Sequence, residues 1–205
     1  MAATGQPAGG GAAGGGAVSA PSDRTWIAFL RAVNVGGRKV EMARLRDLLG
    51  GMGLQRVRSY IASGNVFFDA DLDTAAQRAE LTAAIEARLR EEFGFEVPTI
   101  LRSVAEVEAA LAASPFDRVE MGPEVRLSIV FLSGPLTGLV PPLRSPKDDW
   151  ELLEATDGEA FVVSWRLNGR VGSDPVAAIE KAYGVRATGR FFHTTAKIVA
   201  AARKP

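Results

Sequence analysis

Trp26-Ile27-Ala28-Phe29-Leu30 opens an apolar run that reaches Val33 and is interrupted only by Arg31. A strand that is apolar at consecutive positions has no solvent face, so it belongs inside a sheet covered on both sides. The rest of the chain has to supply that sheet's other strands and its covers. From Met42, apolar side chains recur at Leu45, Leu49 and Met52 with the helical period, and Gly53 is a stop; Gly50 and Gly51 each weaken the last turn by about 1 kcal/mol relative to alanine. Val57 to Ile61 and Val66 to Asp69 are β-branched or aromatic runs joined by Ala62-Ser63-Gly64-Asn65, whose Gly and Asn tolerate the positive φ of a tight hairpin. Asp73 and Thr74 can cap a helix, Gln77 completes a capping box with Thr74, and Leu81, Ile85, Leu89 and Phe93 form an i, i+4 stripe ending at Gly94. Phe95 to Leu101 then alternates as a strand, which Pro98 confines to an edge because it cannot donate to a ladder.

Strand, helix, strand, strand, helix, strand is the split βαβ, or ferredoxin-like, order. It partly recurs. Ser103 and Glu106 make a capping box for a helix carrying Val104, Val107 and Leu111, and Val125, Leu127, Ile129 and Phe131 line one face of a strand. Pro135, Pro141, Pro142 and Pro146 make the following stretch irregular. Glu151 to Ala155 and Ala160 to Trp165 read as a hairpin turned at Asp157-Gly158, followed by an Asn168-Gly169 loop, a helix between Asp174-Pro175 and Gly184, and a last helix from Phe192 to Ala202. The expected fold is α+β: two ferredoxin-like halves in tandem, at 24–101 and 102–205, with antiparallel sheets and helices packed on one face. Residues 1–23, rich in Gly and Ala, are expected to be a disordered tail. Its Gly9-Gly10-Gly11-Ala12-Ala13-Gly14 satisfies a dinucleotide fingerprint only formally, since no strand precedes it.

Composition removes several function classes. There are 24 basic and 24 acidic residues, so no general attraction to nucleic acid or an anionic membrane is encoded, and any anion site must be local. The absence of cysteine removes thiolate nucleophiles and cysteine-held metals and fits a reducing compartment, with the cytoplasm as the expectation. His193 is the only histidine and no D-x-D-x-D-G loop is present, which argues against a metal; no cofactor is indicated. No stretch is apolar and long enough to span a bilayer.

Leu30-Arg31-Ala32-Val33-Asn34-Val35-Gly36-Gly37, followed at this spacing by Tyr60-Ile61-Ala62-Ser63-Gly64-Asn65-Val66-Phe67-Phe68, resembles the two hallmark segments of the bacterial family catalogued as domain of unknown function 1697. Phe93-Gly94-Phe95-Glu96-Val97-Pro98 and Ser114-Pro115-Phe116 extend the likeness over most of Thr25 to Ala202. The family usually has Gly where Ala32 stands and Gln where Ala62 stands, and its Arg-Asn-Trp-Asn-Thr segment is here Arg190-Phe191-Phe192-His193-Thr194. The resemblance implies the tandem ferredoxin-like fold and carries no established activity.

Function must therefore come from the residues. If the first and third strands are antiparallel neighbours, the loop Asn34-Val35-Gly36-Gly37-Arg38-Lys39 and the hairpin tip Ser63-Gly64-Asn65 converge. Gly36 and Gly37 would let a ligand approach the backbone, Arg31 or Arg38 would grip a carboxylate or phosphate, and Asn34, Ser63, Gly64 and Asn65 would complete a site for a small anionic metabolite or nucleotide. The competing structural reading has the glycines only turning the chain, the asparagines capping the backbone and Arg31 pairing with an acid such as Asp69. Arg190, His193 and Thr194 form a weaker candidate group. A metal-independent enzyme would add His193 or Asp69 as general acid or base in the same cleft. A self-association or RNA-binding module is the third reading; neutral charge and the lack of a stacking motif count against RNA. Asp148 and Asp149 read as a solvated loop start, and Trp150 and Trp165 as structural aromatics.

Overall fold

The computed structural model describes residues 24–34, 36–166 and 172–204; the tail and the Asn168-Gly169 loop lie outside the described residues. The apolar run at its start becomes β1 (Thr25–Leu30), buried at every position. It ends earlier than its hydrophobicity suggests, because Ala32 and Asn34 take φ of 56° and 57° and turn the chain out of the sheet. The helix α1 (Met42–Gly51), the hairpin β2 (Gln55–Tyr60) and β3 (Asn65–Asp69), the helix α2 (Ala75–Phe93) and β4 (Thr99–Ser103) follow. They form an antiparallel sheet of order β2-β3-β1-β4, with β4 at an edge. Thr74 and Gln77 close the capping box at the start of α2, and Gly94 ends that helix in the left-handed region at φ 76°. The alternating residues Phe95 to Val97 precede β4 rather than joining it.

The helix α3 (Val104–Ala112) starts at the Ser103–Glu106 capping box, and a 3-10 turn spans Pro115–Arg118. The second sheet comprises β5 (Val125–Leu132), the two-residue β6 (Leu143–Arg144), β7 (Trp150–Ala155), β8 (Glu159–Trp165) and β9 (Ala187–Phe191). Its order is β6-β7-β8-β5-β9. The helix α4 (Pro175–Tyr183) precedes β9, capped by the Asp174 carboxylate and ended by Gly184, and α5 (Phe192–Ala202) follows it. Sequence pattern alone misses β9, because Ala187-Thr188-Gly189-Arg190-Phe191 neither alternates nor carries β-branched side chains at most positions.

Two pairs of backbone hydrogen bonds, each bond within its own sheet, occupy equivalent positions in the two sheets. The Leu30 N–H donates to the Gly64 carbonyl and the Leu132 N–H to the Gly158 carbonyl, both at 2.8 Å. One residue on, the Arg31 N–H donates to Pro98 at 2.9 Å and the Ser133 N–H to Arg186 at 2.8 Å. Thus β1 corresponds to β5, β3 to β8 and β4 to β9, and α3 follows β4 as α5 follows β9. The crossover from β1 contains α1, whereas that from β5 is the proline-rich stretch holding only β6.

Helices do not cover one face alone, as the pattern suggests. On the outer face of the first sheet, Trp26, Ala28, Leu30, Val66 and Phe68 pack under α1 and α2. Its inner face, Ile27, Phe29 and Phe67, shares a core with Ile129, Phe131 and Phe161 of the second sheet and with α3 and α5. The Phe29 and Phe131 rings, both fully buried, stack 4.1 Å apart at the centre of that core. The reason is the one β1 advertises: a strand apolar on both faces needs a cover on both. The outer face of the second sheet, including Val130, Trp150, Leu152 and Val162, packs under α4 and the β5–β7 crossover.

Candidate functional site

Each edge strand beside the central pair sends one arginine across to the other sheet's hairpin. From β4, Arg102 donates to the Leu132 and Gly158 carbonyls, each at 2.7 Å, and to the Glu159 carboxylate at 2.7 Å. From the matching position on β9, Arg190 donates to the Leu30 and Gly64 carbonyls at 3.0 and 3.4 Å and to the Asn65 side-chain oxygen at 2.8 Å. The two clasps differ in one chemical respect, a carboxylate against an amide. Burial lowers the Arg190 pKa to about 10, which leaves the guanidinium charged at neutral pH.

The loops bracketing β1 and β3 do converge. The Asn34 amide donates to the Ala62 carbonyl at 2.8 Å, while its oxygen accepts from the Val40 N–H at 2.9 Å. At Gly64, φ is 79° and a Cβ would lie 2.5 Å from Val33 Cγ2, so glycine is required for this approach. However, the convergence is spent on the fold. Asn65 is completely buried, donates to the Tyr60 carbonyl and the Ser63 hydroxyl, and accepts from Arg190. Gly36 and Gly37 have positive φ, with open space where a Cβ would stand, so they turn the chain without being approached closely. Arg38 lies over the Phe95 ring, 5.5 Å from its centroid, beside the α1–α2 face.

Arg31 does not pair with Asp69. Register puts Asp69 opposite Thr25, at the far end of β1, where it accepts from the Thr25 hydroxyl and pairs with Arg56 at 3.0 Å. Arg31 instead pairs with Glu180 on α4. Asp69 is therefore remote from the hairpin tip and cannot act there as general acid or base. His193 is exposed and stacks on Phe191, with centroids 5.9 Å apart, and no cleft described below is lined by it. Asp149 is not solvated: it is buried and accepts from the Ser145 hydroxyl at 2.6 Å and from the Ser173 N–H and hydroxyl, both at 2.7 Å. Those hydrogen bonds hold its pKa down to about 2.

A cleft of about 560 Å³ opens between the hairpin tip and the outer face of the second sheet, and Ser63, Arg190 and Thr194 of the candidate residues line it. Its apolar wall includes Trp165, Val176 and Phe191; among the described residues its bases are Arg126, Arg166 and Arg190, and its one acid is Asp174. That carboxylate is engaged by the Val176 N–H at the α4 start. The Arg166 guanidinium has no hydrogen-bond or ion-pair partner among the described residues, and Arg126 uses Nη1 on the Pro123 and Val125 carbonyls. A larger cavity of about 830 Å³ lies between α2, α3 and the Asp157-Gly158 turn. Each of its arginines is already paired, Arg78 with Glu106, Arg102 with Glu159 and Arg186 with Glu86, and it also carries Asp157, so it offers less to an anion.

Trp165 reads from the sequence as a structural aromatic, and Arg126, Ser128 and Arg166 are not singled out there. Their signal lies on the second face of β5: Val125, Leu127, Ile129 and Phe131 line one face, leaving Arg126 and Ser128 as polar residues on the other. Among the described residues no group of histidine, aspartate and glutamate is arranged to hold a metal, and no helix is long and apolar enough to cross a membrane.

A family model described as protein of unknown function, DUF1697, matches residues 24–161. No curated protein matches the sequence. Among solved structures, the conserved bacterial protein SP0830 from Streptococcus pneumoniae is similar, with a TM-score of 0.62 and 24% identity over 87% of this chain and 98% of that one. At that identity the likeness concerns the fold.

Proposed function

Because the chain belongs to the DUF1697 family, whose description carries no activity, its own side chains must supply the reading, and we propose a binding module for a small amphipathic anion in the 560 Å³ cleft. The observation that carries it is the imbalance of the lining among the described residues: three arginines against one aspartate already committed to a helix cap, over an apolar wall. Arg166 and Arg126 would hold a phosphate or carboxylate, and Trp165, Val176 and Phe191 the apolar body. This moves the anion partner from Arg31 and Arg38 to the second half, while keeping Ser63 on the rim with Arg190 and Thr194. Arg190, spent on the hairpin carbonyls, contributes field more than contact.

Matching strand orders and hydrogen bonds support two ferredoxin-like halves in tandem. The helix after β4 matching the helix after β9 favours a join after α3. The cytoplasm is the compartment that suits a cysteine-free chain.

Thermal shift and calorimetric titration with aryl phosphates and aryl carboxylates test the reading. Removing one charge-assisted contact is worth about 1.5–3 kcal/mol, so Arg166→Ala should weaken binding by about tenfold or more. No ligand-dependent shift in wild type, or a shift indifferent to both Arg166→Ala and Arg126→Ala, would sink it.

A further inference from the structure

The cleft lies where the first sheet keeps a tryptophan. The matched hydrogen bonds that equate Leu30 with Leu132 also equate Trp26 with Ser128, and the β4–β9 match equates Leu101 with Gly189. Trp26 faces outward under α2, 4% exposed, and its indole N–H donates to the Ala70 carbonyl at 3.1 Å. Arg78 covers that ring, 4.7 Å from its centroid. In the second sheet Ser128 and Gly189 leave this slot without an indole or a leucine, and both line the cleft. A Cβ at Gly189 would stand 3.1 Å from Val176 Cγ2, so Val176 would have to give by a few tenths of an ångström to admit one. Ser164, which also lines the cleft, stands at the register position of Ala70.

We infer that the cleft takes an anion built on a flat aromatic ring, which lies in the position that Trp26 fills in the first sheet. This inference rests on the anion-binding reading above. The ring would lie along Val176 and Trp165, with a ring or exocyclic-amine N–H directed at the Ser164 backbone as the Trp26 indole is directed at Ala70. Its anionic group would point outward to Arg126 and Arg166, which flank the strand ends. An aromatic heterocycle bearing a phosphate or carboxylate has this combination of a ring and a charge; a sugar phosphate has only the charge.

Three probes separate the ring from the charge: adenosine monophosphate, indole-3-acetate and ribose 5-phosphate, each titrated by calorimetry and by quenching of Trp165, the partly exposed member of the three tryptophans. At least one ring-bearing anion should bind, raise Tm and quench fluorescence, with ribose 5-phosphate at least tenfold weaker. Ser128→Trp should remove that binding without lowering Tm, since the substituted side chain fills the slot. Ser128→Leu gives the same test with a smaller side chain if the tryptophan variant does not fold. Ribose 5-phosphate binding as tightly as both ring-bearing anions would overturn the ring assignment and leave the anion reading standing. Failure of all three probes would overturn both. Ring-anion binding that survives filling at Ser128 would overturn the assignment to this slot.

Discussion

The two sheets share a strand order and a hydrogen-bond register but cover their outer faces differently. In the first, α1 and α2 close over Trp26, Ala28 and Leu30. In the second, α4 closes part of the face, the β5–β7 crossover contributes Leu136, Leu139 and Leu143 in place of a helix, and the region around Ser128 stays open. Two sheets with matching strands thus differ in cover: a large side chain fills the slot in the first, and a cleft stands there in the second. What the two sheets share lies along the central strands and their clasps; what differs lies at the end of the sheet nearest the α4 start.

The comparison can be broken at its centre first. Phe131→Ala removes one ring of the stack that joins the sheets and should cost about 3–5 kcal/mol in urea unfolding. A loss confined to signals from one sheet, with the other unfolding separately, would show that the two sheets are not one cooperative unit. Next come the clasps. Arg102→Met strands the Glu159 carboxylate, buried to 14% side-chain exposure, and should cost about 3 kcal/mol or more, as for any half-removed buried pair. Arg190→Met leaves only neutral acceptors behind and should cost about 2 kcal/mol. Equal losses would mean that the acid in one clasp and the amide in the other make no difference.

A smaller, pH-dependent effect belongs to the second sheet alone. Asp149 joins the end of the β5–β7 crossover to Ser173, and its pKa falls from 3.8 to about 2 through hydrogen bonds from Ser145 and Ser173. The folded value lies below the unfolded one, so the contribution is present above about pH 4 and is lost as pH falls through about 2. Asp149→Asn should lower Tm at pH 6 and converge on wild type near pH 2; a constant difference across that range would assign the effect to packing. The smallest change concerns Ala32, whose φ of 56° is strained for any side chain. Ala32→Gly should raise stability by about 1 kcal/mol in the same urea assay.

Local chemistry was legible in the sequence. The capping boxes at Thr74–Gln77 and Ser103–Glu106, the glycine stops at Gly94 and Gly184 and the bounds of α5 all follow from neighbouring residues. The double-faced burial of β1 was legible too. Long-range partners were not: Arg31 finds Glu180, 149 residues away, because the second half packs beside β1. The strand β9 is held by its pairing with β5, not by its own pattern. For the cleft, Ser63, Arg190 and Thr194 were within reach of motif reasoning, but Arg126, Ser128 and Arg166 acquire meaning only when β1 and β5 are laid in register. Arg38 and the two glycines of its loop stood out for residue type, which says nothing about the direction a side chain takes.

The reciprocal arginines have a consequence for the chain's connectivity. Each half satisfies the hairpin carbonyls of the other, while the join between α3 and β5 runs through exposed Glu120 and Met121, the latter 62% exposed. A backbone cut there would sever none of the clasps. Two separately made fragments, divided at Gly122, should assemble as a heterodimer, because the clasps and the shared core lie between them and not along the join.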